Sequence, residues 1–139
     1  MISFNYENKF SLSNESLLSK WIQTVISSEG FKLGEVNYIF CDDDYLHKIN
    51  VEFLNHDTLT DIISFDYTVG KIIQGDIYIS TERVEDNAND FKVSFDNELQ
   101  RVLVHGILHY CGYKDKTDDE AKIMRSKEDY YLSQLAQIE

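Results

Sequence analysis

A single α+β domain spanning residues 1–139 is what the sequence predicts, with a small mixed sheet of about four strands packed against about five helices. Three observations predict it. At 139 residues and 16.3 kDa the chain has the size of one domain, and a monomer of that mass hides roughly 68% of its unfolded surface. Period-two apolar alternation is confined to the first 80 residues, whereas beyond residue 81 apolar residues recur at helical spacing. The chain has no proline, only six glycines, no repeat and no low-complexity tract, so no domain boundary is marked.

The elements follow in order. Ile2 to Tyr6 alternates as a strand. Ser13 is the expected N-cap of a first helix, with Leu12 stapled onto Leu17; Leu18, Trp21, Ile22 and Val25 continue its apolar face and Gly30 stops it. Val36 to Phe40 reads as a strand. Asp42 or Asp43 then caps a short helix bearing Leu46, Ile49 and Phe53, the acidic run Asp42-Asp43-Asp44 suiting the positive end of the helix dipole. Strands are expected near Ile62 to Phe65 and Asp76 to Ser80, joined by a polar turn around Gly70. Leu99, Val102, Leu103, Ile107 and Cys111 form one stripe that Gly112 ends as a C-cap. Thr117 and Glu120 make a capping box, and Ala121, Met124, Tyr131 and Leu135 line the last helix.

Composition excludes several classes. Hydrophobic residues make up 42% and aromatics 13%, too many for a disordered chain. No apolar run reaches the ~18 residues of a membrane span, and the N-terminus lacks the layout of a signal peptide, so a cytoplasmic protein is expected. Thirteen basic and 25 acidic residues leave a net charge of −12, which repels the backbone of bare DNA or RNA. Cys41 and Cys111 stand far apart without metal-type spacing and are expected as reduced thiols, Cys111 in a packing role.

The chemistry concentrates between Val104 and Asp115. His105 and His109 lie four apart, which puts both imidazoles on one helix face, one turn apart. Gly112 lets the chain turn back, so that Asp115 can face the same ion. Two imidazoles, a carboxylate and an open fourth position match a catalytic zinc site better than a closed structural one. The plain alternative is an exposed histidine pair followed by an acidic turn residue. Zinc peptidases with this spacing place a glutamate after the first histidine; Gly106 stands there, which disfavours peptidase chemistry.

The run resembles the YbeY-type bacterial endoribonucleases, metal-dependent rRNA-maturation factors with the motif H-G-x-L-H-x-x-G-Y-D-H. His105, Gly106, Leu108, His109, Gly112 and Tyr113 match it. Thr60-Asp61-Ile62-Ile63-Ser64-Phe65 is similar to the family's T-D-V-L-S-F strand, and Gly75-Asp76-Ile77-Tyr78-Ile79-Ser80 to its G-D-I-x-I-S strand. Asp119, Glu120, Met124 and Glu128 resemble its last helix. The resemblance implies one divalent metal, zinc by donor type, on His105, His109 and Asp115, the last replacing a third histidine. It implies cleavage of single-stranded RNA during rRNA maturation, the ion either activating water or polarising the phosphoryl oxygen.

It further implies a ribosome or rRNA partner, with a ribosomal protein as a candidate, and neither DNA nor membrane. Asp61 and Ser64 are expected to orient water or a histidine beside the metal, or else to make strand-end hydrogen bonds. Leu54 occupies a position that many members fill with an RNA-handling arginine. Lys114 either adds a charge beside the metal or is a solvated lysine. Asp76 is expected to be structural, and His47 and His56 exposed and inert. Two rival functions remain, a non-catalytic metal-binding ribosome-assembly factor and a metallohydrolase of peptides or small amides.

Overall fold

The computed structural model describes residues 1–55 and 59–138, so the expectation for His56 lies outside the described residues. Four strands form one sheet in the order β1-β2-β4-β3, namely β1 (Ile2–Tyr6), β2 (Lys32–Cys41), β3 (Ile62–Asp66) and β4 (Ile72–Ser80). β1 and β2, and β2 and β4, pair in parallel, while β3 runs antiparallel to β4 and forms an edge. Among the described residues five helices accompany the sheet: α1 (Glu15–Ser28), α2 (Asp43–Leu54), α3 (Thr81–Phe91), α4 (Phe95–Tyr110) and α5 (Asp118–Ile138). The predicted α+β class, mixed sheet and helix count all hold.

Alternation along the strands splits the interior in two. Val36, Tyr38 and Phe40 of β2 and Ile73, Ile77 and Ile79 of β4 face a large core shared with α1, α4 and α5. Cys41 and Ile63 face the other way and form a smaller cluster with Leu46 of α2. Long-range hydrogen bonds from buried aromatic residues bind the layers: the Tyr38 hydroxyl donates to the Leu103 carbonyl at 2.8 Å, and the Trp21 indole N–H to that of Tyr131 at 2.9 Å.

Some expectations shift. The first helix begins after Asn14, not Ser13, and Asn14 makes no side-chain cap. The preceding segment is held elsewhere, because the Leu12 N–H donates to the Tyr6 hydroxyl (3.2 Å), which in turn donates to Glu15 (2.6 Å). Asp42 is the N-cap of α2, accepting from the Tyr45 N–H at 2.9 Å. Phe53 is exposed rather than core-facing, and His47 is half-buried and partnered. The buried face of α5 runs Met124, Glu128, Tyr131, Leu135, while Ala121 sits exposed in the first turn beside the capping box. β2 and β4 both start earlier than expected, since Lys32 and Leu33 pair with Ile72 and Ile73.

Helix α4 lies unusually near the sheet. A Cβ added at Gly106 would stand 3.1 Å from both Ile62 Cδ1 and Ile77 Cδ1. At Gly75 an added Cβ would collide with the Tyr110 ring, 2.6 Å from Cζ. Tyr110 uses that space to place its hydroxyl 2.9 Å from the Phe65 carbonyl and 3.1 Å from that of Asp76, pinning the end of α4 to the β3–β4 pair.

A second anchor holds the segment after α4. Glu29, at the end of α1, accepts hydrogen bonds from Tyr113 (2.6 Å), Lys127 (3.3 Å) and Tyr131. Burial raises the pKa of Glu29, but these three donors outweigh it and hold the carboxyl below its ordinary value.

Two outcomes follow. Gly75→Ala should lower stability by about 1–3 kcal/mol through overpacking against Tyr110, and pairing it with Tyr110→Phe should cost less than the sum of the single changes in urea denaturation. Glu29→Gln should lose about 1.5–3 kcal/mol at neutral pH. Because the folded pKa of Glu29 lies below the unfolded value of about 4.3, its contribution is complete above that value and disappears as pH falls through the folded pKa. Denaturation at stepped pH should therefore show an acid-side loss in the native chain that Glu29→Gln lacks.

Candidate metal centre

The site is built at the C-terminal end of α4 and between two helix caps. Gly112 takes φ +102°, a left-handed conformation that glycine adopts without strain. Its N–H donates to the His109 carbonyl (3.0 Å) and that of Tyr113 to the Leu108 carbonyl (3.1 Å), the pair of bonds that closes a helix in a Schellman motif. Four residues later the capping box opens α5, with Thr117 N–H to Glu120 Oε1 at 3.0 Å and Glu120 N–H to Thr117 Oγ1 at 3.1 Å. Asp115 sits in the short segment so bracketed and turned back over α4.

The structure brings His105, His109 and Asp115 together. The two Nε2 atoms lie 3.0 Å apart, and Asp115 Oδ2 is 3.3 Å from that of His105 and 3.4 Å from that of His109. A tetrahedral ion with bonds of about 2.0–2.1 Å sets its donors about 3.3–3.4 Å apart. Three donors on one small triangle therefore fit three positions of such an ion, and their chemistry, two imidazoles and a carboxylate, suits zinc.

His105 is oriented by a residue that the sequence reading did not single out for this role. Its Nδ1 lies 2.6 Å from Glu128 Oε2. A carboxylate can only accept, so Nδ1 carries the proton and Nε2 keeps its lone pair for the ion. Glu128 is buried at 5% exposure and is itself fixed by Arg101, whose Nη1 donates to Oε1 at 2.9 Å while Nη2 reaches Asp129 at 2.8 Å. Burial works against the His105 imidazolium, but the hydrogen bond to Glu128 and the charges of Glu128, Asp115 and Asp61 outweigh it and raise the pKa. The signal in the sequence was a lone charge at position 128 on the stripe formed by Met124, Tyr131 and Leu135.

A cleft of about 330 Å³ opens beside these ligands, lined among others by Asp61, Phe91, Glu98, Arg101, His105 and Arg125. Asp61 lines the cleft with His105, its pKa raised by burial against the pull of His105; Asn87 Nδ2 is 3.5 Å from its carboxylate. Ser64 is exposed, not among the cleft-lining residues, and its hydroxyl meets Tyr110. Asp76 accepts from Asn37 at 3.0 Å in a strand-to-strand bond. Lys114 is exposed, and the cations of the cleft are Arg101 and Arg125 from the two helices. Burial pushes the Cys111 thiol up to about 12, and the residue packs against the main core. Among the described residues, no helix is long and apolar enough to cross a membrane.

The family model described as endoribonuclease YbeY matches residues 2–136. Endoribonuclease YbeY of Flavobacterium johnsoniae is 71% identical over 129 residues, 93% of each chain. That of Flavobacterium psychrophilum is 62% identical over 132 residues, 95% of this chain and 94% of the relative. The solution structure of a Thermotoga maritima protein superposes with a TM-score of 0.70 at 29% identity, covering 97% of this chain and 89% of that one. The matched span takes in the whole sheet, both caps and the segment from His105 to Asp115, and the chain belongs to the endoribonuclease YbeY family.

Proposed function

We propose that the chain cleaves single-stranded RNA in rRNA maturation, using one zinc ion held by His105, His109 and Asp115. The observation that carries the reading is the triangle of two Nε2 atoms and one carboxylate oxygen at 3.0–3.4 Å beside an open cleft. When bound, the ion supplies a Lewis acid and lowers the pKa of water at neutral pH.

The protein's own residues do the remaining work. Glu128 holds the proton on His105 Nδ1 and keeps Nε2 aimed at the ion. Arg101 satisfies the other Glu128 oxygen, so the carboxylate is not left buried and unpaired. Asp61 lines the same cleft as His105, which supports a role for its carboxylate in accepting a hydrogen bond from water there. Ser64 steadies the Tyr110 hydroxyl, and with it the end of α4. Arg101 and Arg125 offset part of the negative charge that would repel a phosphodiester.

The peptidase rival is disfavoured by more than a missing glutamate. Gly106 is buried against Ile62 and Ile77, so a carboxylate there would enter the core rather than the cleft. The assembly-factor rival needs no cleft beside the ligands. With a net charge of −12, tight binding to free RNA is opposed, so RNA met on the ribosome in the cytoplasm, with a ribosomal protein adding affinity, is the setting the charge favours.

Chelation should abolish cleavage of single-stranded RNA, zinc should restore it, and casein should remain intact throughout; peptide hydrolysis lost in His105→Ala would overturn the choice of class. Glu128→Gln should weaken metal affinity by about 10–100-fold with the fold retained, measured by competitive chelator titration alongside circular dichroism. Unchanged affinity would remove Glu128 from the centre.

A further inference from the structure

Glu98 is the anomaly of the cleft. It is 5% exposed and lines the cavity, yet among the described residues its carboxyl makes no hydrogen bond or ion pair. Among the described residues Arg83 Nε is the buried side-chain polar atom left without a partner, so the Glu98 oxygens are not sealed in the core but open onto the cavity, where they offer acceptors to whatever fills it. Arg101, which could have paired with it, is committed to Glu128 and Asp129. Arg125 reaches only to 3.7 Å from Glu128 and is 56% exposed. The position of Glu98 is informative too. It precedes His105 by seven residues, two turns or about 10.5 Å along the axis, so it lies on the same face at the far end of the cleft. Phe91 from α3, 57% exposed, forms part of the wall between α3 and α4.

The cleft volume, about 330 Å³, stands at the lower end of the ~300–1,000 Å³ of small-molecule sites, the scale of one nucleotide. With a phosphate at the metal-facing side chains, the base of the adjoining nucleotide extends towards Glu98. Burial and the charges of Asp61 and Glu128 raise the Glu98 pKa while Arg101 and Arg125 draw it down; as the carboxylate it offers acceptors only. Guanine is the base whose pairing edge presents two adjacent N–H donors. On adenine, cytosine and uracil a ring or carbonyl acceptor sits next to the donor, and would face one carboxylate oxygen lone pair to lone pair.

Resting on the nuclease reading above, we infer that this cleft is a nucleotide subsite in which Glu98 selects an unpaired guanine next to the scissile phosphate while Phe91 stacks on its ring. In a duplex those guanine donors are already taken by cytosine, so the same contact requires a single strand. Selection by Glu98 thus supplies a reason for single-strand preference as well as for base choice.

The experiment maps cut ends after limited digestion of a randomised single-stranded RNA by the zinc-loaded native chain, Glu98→Gln and Phe91→Ala. Metal content and circular dichroism are checked for each. The native chain should enrich guanine about tenfold at one position flanking the cut. Glu98→Gln, nearly isosteric but with a donor in place of one acceptor, should lose that enrichment and keep its metal. Phe91→Ala, altered at an exposed ring, should raise KM about tenfold for all sequences and keep the guanine preference. Native cutting without base preference, or guanine enrichment surviving in Glu98→Gln, overturns the subsite and leaves the nuclease reading standing. If the native chain cuts no RNA, the nuclease reading fails by itself. Binding of guanosine, adenosine, cytidine and uridine 5′-monophosphates to the zinc-loaded protein then decides the subsite. A guanosine preference abolished by Glu98→Gln upholds it; equal binding overturns it.

Discussion

The close approach of α4 to the sheet is the constraint on which everything else hangs. Both histidines ride on that helix, and their position is set by how deeply it sits over Ile62 and Ile77. Gly106 permits the depth and Tyr110, filling the space beside Gly75, locks it by bonding to the strand carbonyls. Interiors packed at this density do not deform smoothly. A helix displaced by one methyl group would carry His105 and His109 away from Asp115, which is held by a different anchor.

That anchor works through charge. Glu29 gathers three donors from the post-helix segment and from α5, and Glu128 performs the matching service for His105 from the same helix. Two carboxylates, a half-buried one at the end of α1 and a buried one within α5, thus position the two halves of the candidate centre. Each is satisfied by more than one partner, which is the condition under which a buried charge stabilises rather than costs. Glu98 breaks this pattern, and the break is what marks the far end of the cleft.

Features that depend on near neighbours could be read from the sequence. The pairing of His105 with His109, the stop at Gly112 and the Thr117–Glu120 box are all local spacings, and all hold in the structure. Asp115 was legible because it is only three residues from that stop. The Glu128–His105 contact was not, since it joins residues 23 apart across two helices. A glutamate on a helix is ordinarily a surface residue, and nothing short of packing α5 on α4 reveals that it points inward. The same applies to Arg101, whose carboxylate partners lie 27 and 28 residues away. The Ser13 expectation failed for a related reason, because the chain before α1 is held by the Tyr6 hydroxyl on a strand that no local rule connects to it.

The division of labour between α4 and α5 also sets an order of events during synthesis. A chain translated as far as Asp115 already carries the His105, His109 and Asp115 cluster that could hold a metal. It has neither Glu128 to fix the His105 tautomer nor Tyr131 to complete the clasp on Glu29. Such a chain lacks the hydrogen bond that orients His105, and of the three donors to Glu29 it carries Tyr113 alone. The bonds that orient His105 and complete the clasp on Glu29 are therefore in place once the last helix docks. The candidate centre is thus finished from α5, the helix that follows the His105, His109 and Asp115 cluster in sequence.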